Sequence, residues 1–240
     1  MIKVEKLSKY FKEVKAVKDI SFEVKNGEIL GLLGENGAGK TTTLRMLATM
    51  LKPTEGDATI NNYSIINDSQ KVRGEIGILF GGDVGLYDRL TVRENIRYFA
   101  ELNGMGKKQA EESIEYLVEE LKLKEYIDRR VGKLSRGMKQ KVSIARSIVH
   151  RPTVMLFDEP TTGLDVTAAK LVHEFILDCK KQNKSIIFSS HSMQEVEKLC
   201  DRIIVLNKGS IVDEGTLEYF KERYNSSDME EIFIKLVGDK

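Results

Sequence analysis

Apolar residues follow two periods along this chain, and the points where one gives way to the other mark its elements. Residues 2–7 and 17–24 read as strands, the second because Val17, Ile20, Phe22 and Val24 are mostly two residues apart. The turn Asn26-Gly27 follows, and then an apolar run over 28–33, unbroken as in a strand buried on both faces, leads straight into a glycine-rich loop. A helical pattern begins at Thr41 and stops before Pro53, and 76–80 predicts another short strand closed by Gly81 and Gly82. Thr91 with Glu94 is a capping-box signature ahead of Val92, Ile96 and Phe99 at helical spacing. A second helix from about Lys107 carries the stripe Ile114, Leu117, Val118, Leu121.

Beyond this helical stretch, the strand 154–158, a helix carrying Val172, Phe175, Ile176 and Cys179, and the strand 186–189 restore an alternation that implies a parallel sheet. The expectation is a single α/β domain of 240 residues. Residues 1–86 and 152–215 form its core, and 87–151 is a helical lobe inserted between them. A hairpin is expected from 203–206 and 210–213, followed by two short helices over 216–240. Ile232, Phe233, Leu236 and Val237 give the last helix an apolar face, which either packs on the body or meets a second copy.

Composition narrows the class without naming a function. With 41% apolar and 31% charged residues the chain is of globular type. Its 38 Lys and Arg against 37 Asp and Glu are interspersed, so no electrostatic footprint for nucleic acid is visible. Cys179 and Cys200 lie in apolar helical patterns and read as small buried hydrophobes in a reducing compartment. The N-terminus has no secretory apolar region, and no apolar run approaches the ~18 to 20 residues of a membrane span, so a soluble cytoplasmic chain is expected.

Chemistry enters at the glycine-rich loop. Gly34, Glu35, Asn36, Gly37, Ala38, Gly39, Lys40 and Thr41 satisfy the G-x-x-x-x-G-K-[ST] template, and they sit between a predicted buried strand and a helix that continues through Thr42. Glycines let the backbone curl so that successive N–H groups point at phosphate oxygens, backed by the helix N-terminus. Lys40 adds a point charge for the β- and γ-phosphates, and the Thr41 hydroxyl is a hard oxygen suited to Mg²⁺. The strand VMLFDE then ends in two adjacent acids, whose side chains strand alternation sends in opposite directions. Asp158 is the candidate metal ligand, and Glu159 the candidate base or water-orienting group; on its own such a pair also reads as a helix cap ahead of Pro160.

Between these motifs lies LSRGMKQ, where Ser135 occupies an N-cap position and, with the backbone of Gly137, opens a helix N-terminus as an anion site. The run LSRGMKQKVSIARSIVHRPTVMLFDEPTTGLD resembles the signature segment, Walker B strand and D-loop of ABC ATPases, and the likeness extends over about residues 2–215. It implies a P-loop NTPase fold with a RecA-like parallel core, an antiparallel N-terminal β subdomain and an inserted helical subdomain. It further implies an ATPase using ATP and Mg²⁺, which energises transport through a separate transmembrane subunit. Two copies would close head to tail on the cytoplasmic face of the membrane, each Ser135 reaching the other's γ-phosphate. On the same resemblance Phe11, with Tyr10 as competitor, stacks on adenine, Asp165 is the D-loop aspartate, and His191 is the switch histidine that contacts the γ-phosphate. His150 and His173 match nothing in the family pattern and read as surface or satisfied histidines.

The family's glutamine after the strand 76–80 is missing, with Gly81 in that register, and Arg136 and Met138 replace the usual glycine and glutamine of the signature. These departures, with GLYDRLTVRENI, resemble an exporter subgroup that includes sodium-extrusion and multidrug ABC ATPases. Asp83 or a water is the expected substitute for the glutamine. The competing classes are a soluble ABC ATPase not tied to transport and a small-molecule kinase on the same phosphate loop, the second of which leaves LSRGM and His191 unexplained.

Overall fold

The structure, a computed structural model, describes residues 1–81 and 85–238; Asp83 lies outside them. The chain opens with β1 (Ile2–Phe11), β2 (Val14–Val24), β3 (Ile29–Leu33), α1 (Lys40–Leu47), β4 (Glu55–Ile60), β5 (Tyr63–Ser64), α2 (Ser69–Glu75) and β6 (Ile76–Phe80). A helical stretch follows, α3 (Val92–Leu102), α4 (Lys107–Glu120) and α5 (Arg136–Ile148). The chain then returns through β7 (Val154–Asp158), α6 (Val166–Lys181), β8 (Ser185–Ser189), α7 (Met193–Leu199), β9 (Arg202–Asn207), β10 (Ser210–Thr216), α8 (Leu217–Tyr224) and α9 (Met229–Gly238).

Two sheets result. The antiparallel one runs β2-β1-β4-β5, and the other runs β10-β9-β3-β8-β7-β6, parallel except for the β9–β10 hairpin at its edge. Every residue of β3, β7 and β8 is buried, because strands covered on both faces can be apolar throughout. One core cluster fills the space between the sheets and α1; a second lies on the opposite face under α6 to α9.

The helical stretch has a core of its own, built on Val92, Ile96, Ile114, Leu117, Val142 and Val149. Its first helix carries the anticipated reciprocal cap: Glu94 N–H donates to Thr91 Oγ1, and Thr91 N–H donates to Glu94 Oε2. At the C-terminus the apolar face of α9 is occupied within the chain, with Ile232 buried and Phe233, Leu236 and Val237 packed on the second cluster. Both cysteines are buried thiols; burial pushes Cys179 up to about 12 and Cys200 likewise upward, which leaves neither a nucleophile at neutral pH. Among the described residues no helix is long and apolar enough to cross a membrane.

Register is what assembles the site. Phe80 lies beside Asp158, and Asp158 beside Ser189, so the carboxyl ends of β6, β7 and β8 are level next to that of β3. In open α/β sheets this edge is where ligands bind.

Candidate functional site

The phosphate loop leaves β3 and reaches α1 through three glycines with positive φ, Gly34 at 156°, Gly37 at 86° and Gly39 at 108°. A Cβ on Gly39 would also stand 2.7 Å from the carbonyl oxygen of Ala16 in β2, so only glycine is accommodated. The loop is held from outside as well. Gly209, in the β9–β10 turn, donates its N–H to Ala38 O at 3.1 Å and accepts from Lys18 N at 2.8 Å. Glu35, Asn36 and Gly37 are exposed at the bend, Ala38 and Lys40 are buried, and Thr41 and Thr42 are half-buried on the first turn of α1. Helix geometry leaves that turn's N–H groups without intrahelical acceptors.

Lys40 Nζ donates to the carbonyl oxygens of Gly34 at 2.7 Å and Glu35 at 3.2 Å, and stands 3.8 Å from Glu159 Oε1. Asp158 Oδ1 accepts from Thr41 Oγ1 at 3.1 Å and from Ser189 Oγ at 2.7 Å. Glu159 Oε2 lies 3.6 Å from His191 Nδ1 and accepts a long hydrogen bond, 3.4 Å, from Thr162 Oγ1.

The expectation that the two acids diverge does not hold. Glu159 is the residue after β7, with φ 47°, so strand alternation has ended where it begins, and both carboxylates line one cavity of about 760 Å³ together with Asn36, Thr41, Gly81 and Thr162. The left-handed backbone of a non-glycine residue costs roughly 1–2 kcal/mol. It is held by the Glu159 amide, which donates to Ser189 O at 3.1 Å and Ser189 Oγ at 3.0 Å. Ser189 therefore fixes both acids, a function that a serine at a strand end does not advertise in sequence.

Gly81 has a physical reason to be glycine. Its N–H donates to Asp158 O at 2.9 Å, and a Cβ there would stand 2.1 Å from Glu159 O, which is backbone and cannot swing aside. No glutamine fits at position 81 without displacing Glu159. Gly81→Ala is expected to lower kcat for ATP by about 10- to 100-fold, since a misplacement near 1 Å has that effect; steady-state hydrolysis measures it.

The remaining candidates lie outside that cavity's lining. Ser135 is exposed and caps α5, accepting from Met138 N at 3.3 Å, with Gly137 in the first turn. Asp165 caps α6, accepting from Ala168 N at 2.8 Å, with Val166 beside it 88% exposed. Phe11 ends β1 at 46% exposure, which rules out a core role, with Lys9 Nζ 5.2 Å from its ring centre. Tyr10 is half-buried and its hydroxyl donates to Glu55 at 3.3 Å. The two histidines outside the family pattern are engaged: His150 Nε2 with Ile76 O at 2.9 Å, and His173 Nε2 with Glu195 at 2.8 Å.

Comparison with known proteins bears on this arrangement. Residues 17–162 match the ABC transporter family. The ABC transporter ATP-binding protein NatA of Bacillus subtilis is 47% identical, over 94% of this chain and 92% of its own length. Nod factor export ATP-binding protein I of a Rhizobium species is 38% identical, over 95% of this chain and 74% of its own. A dimeric ATP-binding cassette solved in a post-hydrolysis state, bound to ADP and Pi, superposes with a TM-score of 0.77 at 25% identity, over 90% of this chain and 98% of that one. The family match runs through the phosphate loop, the helical lobe and the acid pair alike, and the chain belongs to the ABC transporter family as an ATP-binding subunit that hydrolyses ATP.

Proposed function

We propose that this subunit is the motor of an exporter: it docks on the cytoplasmic face of a membrane against a separate transmembrane subunit and closes with a second copy over two ATP molecules. The observation that carries the reading is the meeting of Lys40, Thr41, Asp158, Glu159 and His191 at the carboxyl edge of one sheet. Residues 1–86 and 152–215 would act as the nucleotide-holding core, 87–151 as the lobe that presents Ser135, and 216–240 as its C-terminal brace.

In this reading Lys40 moves its ammonium from loop carbonyls to the β- and γ-phosphates, beside the N–H groups from Gly34 to Thr42. Thr41 and Asp158 would hold Mg²⁺, since they present adjoining hard oxygens of the kind that ion takes. When bound, the ion neutralises charge building on the phosphate oxygens. Glu159 orients the attacking water and accepts its proton, and His191, within reach of that carboxylate, contacts the γ-phosphate. Phe11 offers an exposed ring for adenine.

Ser135 and Gly137 sit at an exposed helix N-terminus away from their own chain's cavity, which supports their serving the γ-phosphate of a partner copy, with Asp165 at the joint between copies. The likeness of residues 85–96 to exporters, and similarity to a relative named for export, support export as the direction. A sodium ion or a hydrophobic drug is the cargo this likeness suggests. No nucleic acid is proposed as partner.

The shared site has a direct test. Ser135→Ala and Lys40→Ala chains are each expected to hydrolyse ATP poorly, and their mixture is expected to regain turnover, because one site of the mixed pair keeps Lys40 from one chain and Ser135 from the other. A mixture no more active than its components would sink the two-copy site.

A further inference from the structure

Next to the site lies a set of polar side chains that the reading above does not use. Ser190, 3% exposed, donates its hydroxyl to Glu195 Oε2 at 2.7 Å and accepts from Ser192 N at 3.0 Å. The other oxygen, Glu195 Oε1, is 2.8 Å from His173 Nε2. A carboxylate offers only acceptors, so that nitrogen carries the proton. The Thr161 side chain is a third polar neighbour of the same group, and it acts to lower its pKa. Burial pushes the Glu195 carboxyl up, yet its polar neighbours Ser190, His173 and Thr161 together outweigh it and hold the group below the usual carboxylate range.

The origin of these neighbours matters more than their number. Ser190 directly precedes His191. Thr161 lies in the short turn between Glu159 and Asp165, where Leu164 N donates to Thr161 O at 3.0 Å. His173 stands two turns into α6, the helix that Asp165 caps. Glu195 is itself placed by its own helix, its N–H donating to the cap residue Ser192. Three segments separated in sequence thus converge on one carboxylate whose only covalent tie is to α7.

We propose that Glu195 is a positioning residue for ATP hydrolysis: by holding Ser190 and His173 on one carboxylate, with Thr161 beside it, it clamps the loop of His191 to the segment running from Glu159 through Asp165 into α6, so that histidine, acid and D-loop move as one body. It touches neither nucleotide nor reacting water and acts through the residues it holds. The inference rests on the assignment of Glu159 and His191 to the reaction.

Glutamine at position 195 keeps the size of the side chain but turns one acceptor oxygen into a donor, so Ser190 or His173 must either reverse its role, by hydroxyl rotation or change of tautomer, or let go. Steady-state hydrolysis by the full chain with Glu195→Gln is expected to show kcat lowered about tenfold and KM for ATP changed less than about twofold, the pattern of lost transition-state geometry with binding intact. Ser190→Ala should lower kcat by less, and the double variant should be no slower than Glu195→Gln alone, because the two belong to one network. A purely structural role would lower Tm and leave kcat of the folded protein at the parental value; that result, or strict additivity of the two kcat effects, overturns the clamp. Should Glu195→Gln not fold, Ser190→Ala and Thr161→Val carry the same test, and additive kcat effects of that pair overturn it. If Glu159→Gln and His191→Ala leave kcat unchanged, the assignment beneath the clamp has failed and the clamp with it. If those two lower kcat and Glu195→Gln does not, the clamp alone has failed.

Discussion

Replacing Glu159 by glutamine is expected to lower kcat for ATP by about 10²- to 10³-fold, or about 3–4 kcal/mol of barrier, while ATP still binds and the two-copy form accumulates. The substitution keeps the shape of the side chain and removes its capacity to take a proton. Contacts that build the pocket survive, because the Glu159 amide, which bonds to Ser189 O and Oγ, is backbone and is untouched. What disappears is the negative charge between Lys40, 3.8 Å away, and His191, 3.6 Å away. If ground-state binding relies on the phosphate loop, as proposed, KM should stay near the parental value. Single-turnover hydrolysis and size-exclusion chromatography with ATP measure both effects; parental turnover would remove Glu159 from the chemistry.

Lys40→Ala also has a large expected effect, and it falls on binding. Lys40 is 5% exposed and donates to two loop carbonyls, so its ammonium is already desolvated and aimed along the loop. A triphosphate offers it a stronger acceptor than either carbonyl. Alanine forfeits that charge-assisted bond and leaves the Gly34 and Glu35 carbonyls without their donor. Nucleotide affinity is expected to fall about 10- to 100-fold, roughly 1.4–2.8 kcal/mol, as read by calorimetry or fluorescent-nucleotide titration. Unchanged affinity would mean that phosphate is held elsewhere.

Parts of the fold are legible in the sequence and parts are not. β3, β7 and β8 were legible because their buried apolar runs end in glycine, acid and serine, a change of chemistry that marks the edge of a sheet. The cap of α3 was legible because its donors and acceptors lie three residues apart. Residues 55–75 were not: β4, β5 and α2 are short, and Gly56, Asp57, Asn61 and Asn62 interrupt any period before it can establish itself.

The divergence expected of Asp158 and Glu159 came from extending strand alternation one residue too far. A local rule carries no information on φ at Glu159, which is set by Ser189 thirty residues away. Gly81 illustrates the same limit from the other side. In sequence it reads as a missing glutamine, whereas in three dimensions it is the close approach of two strand ends. Ser190, Thr161, His173 and Glu195 were invisible for a related reason, since each is an ordinary residue until the other three are placed around it.

The β9–β10 turn, which shores up the phosphate loop through Gly209 and Ala38, makes the motif non-transferable. A polypeptide ending soon after His191 would contain every signature by which an ATPase of this kind is recognised, yet its triphosphate cradle would have lost the outer wall against which it is bent. The last fifth of the chain, which carries no motif of its own, thereby supplies part of the frame on which the loop bearing the lysine is bent.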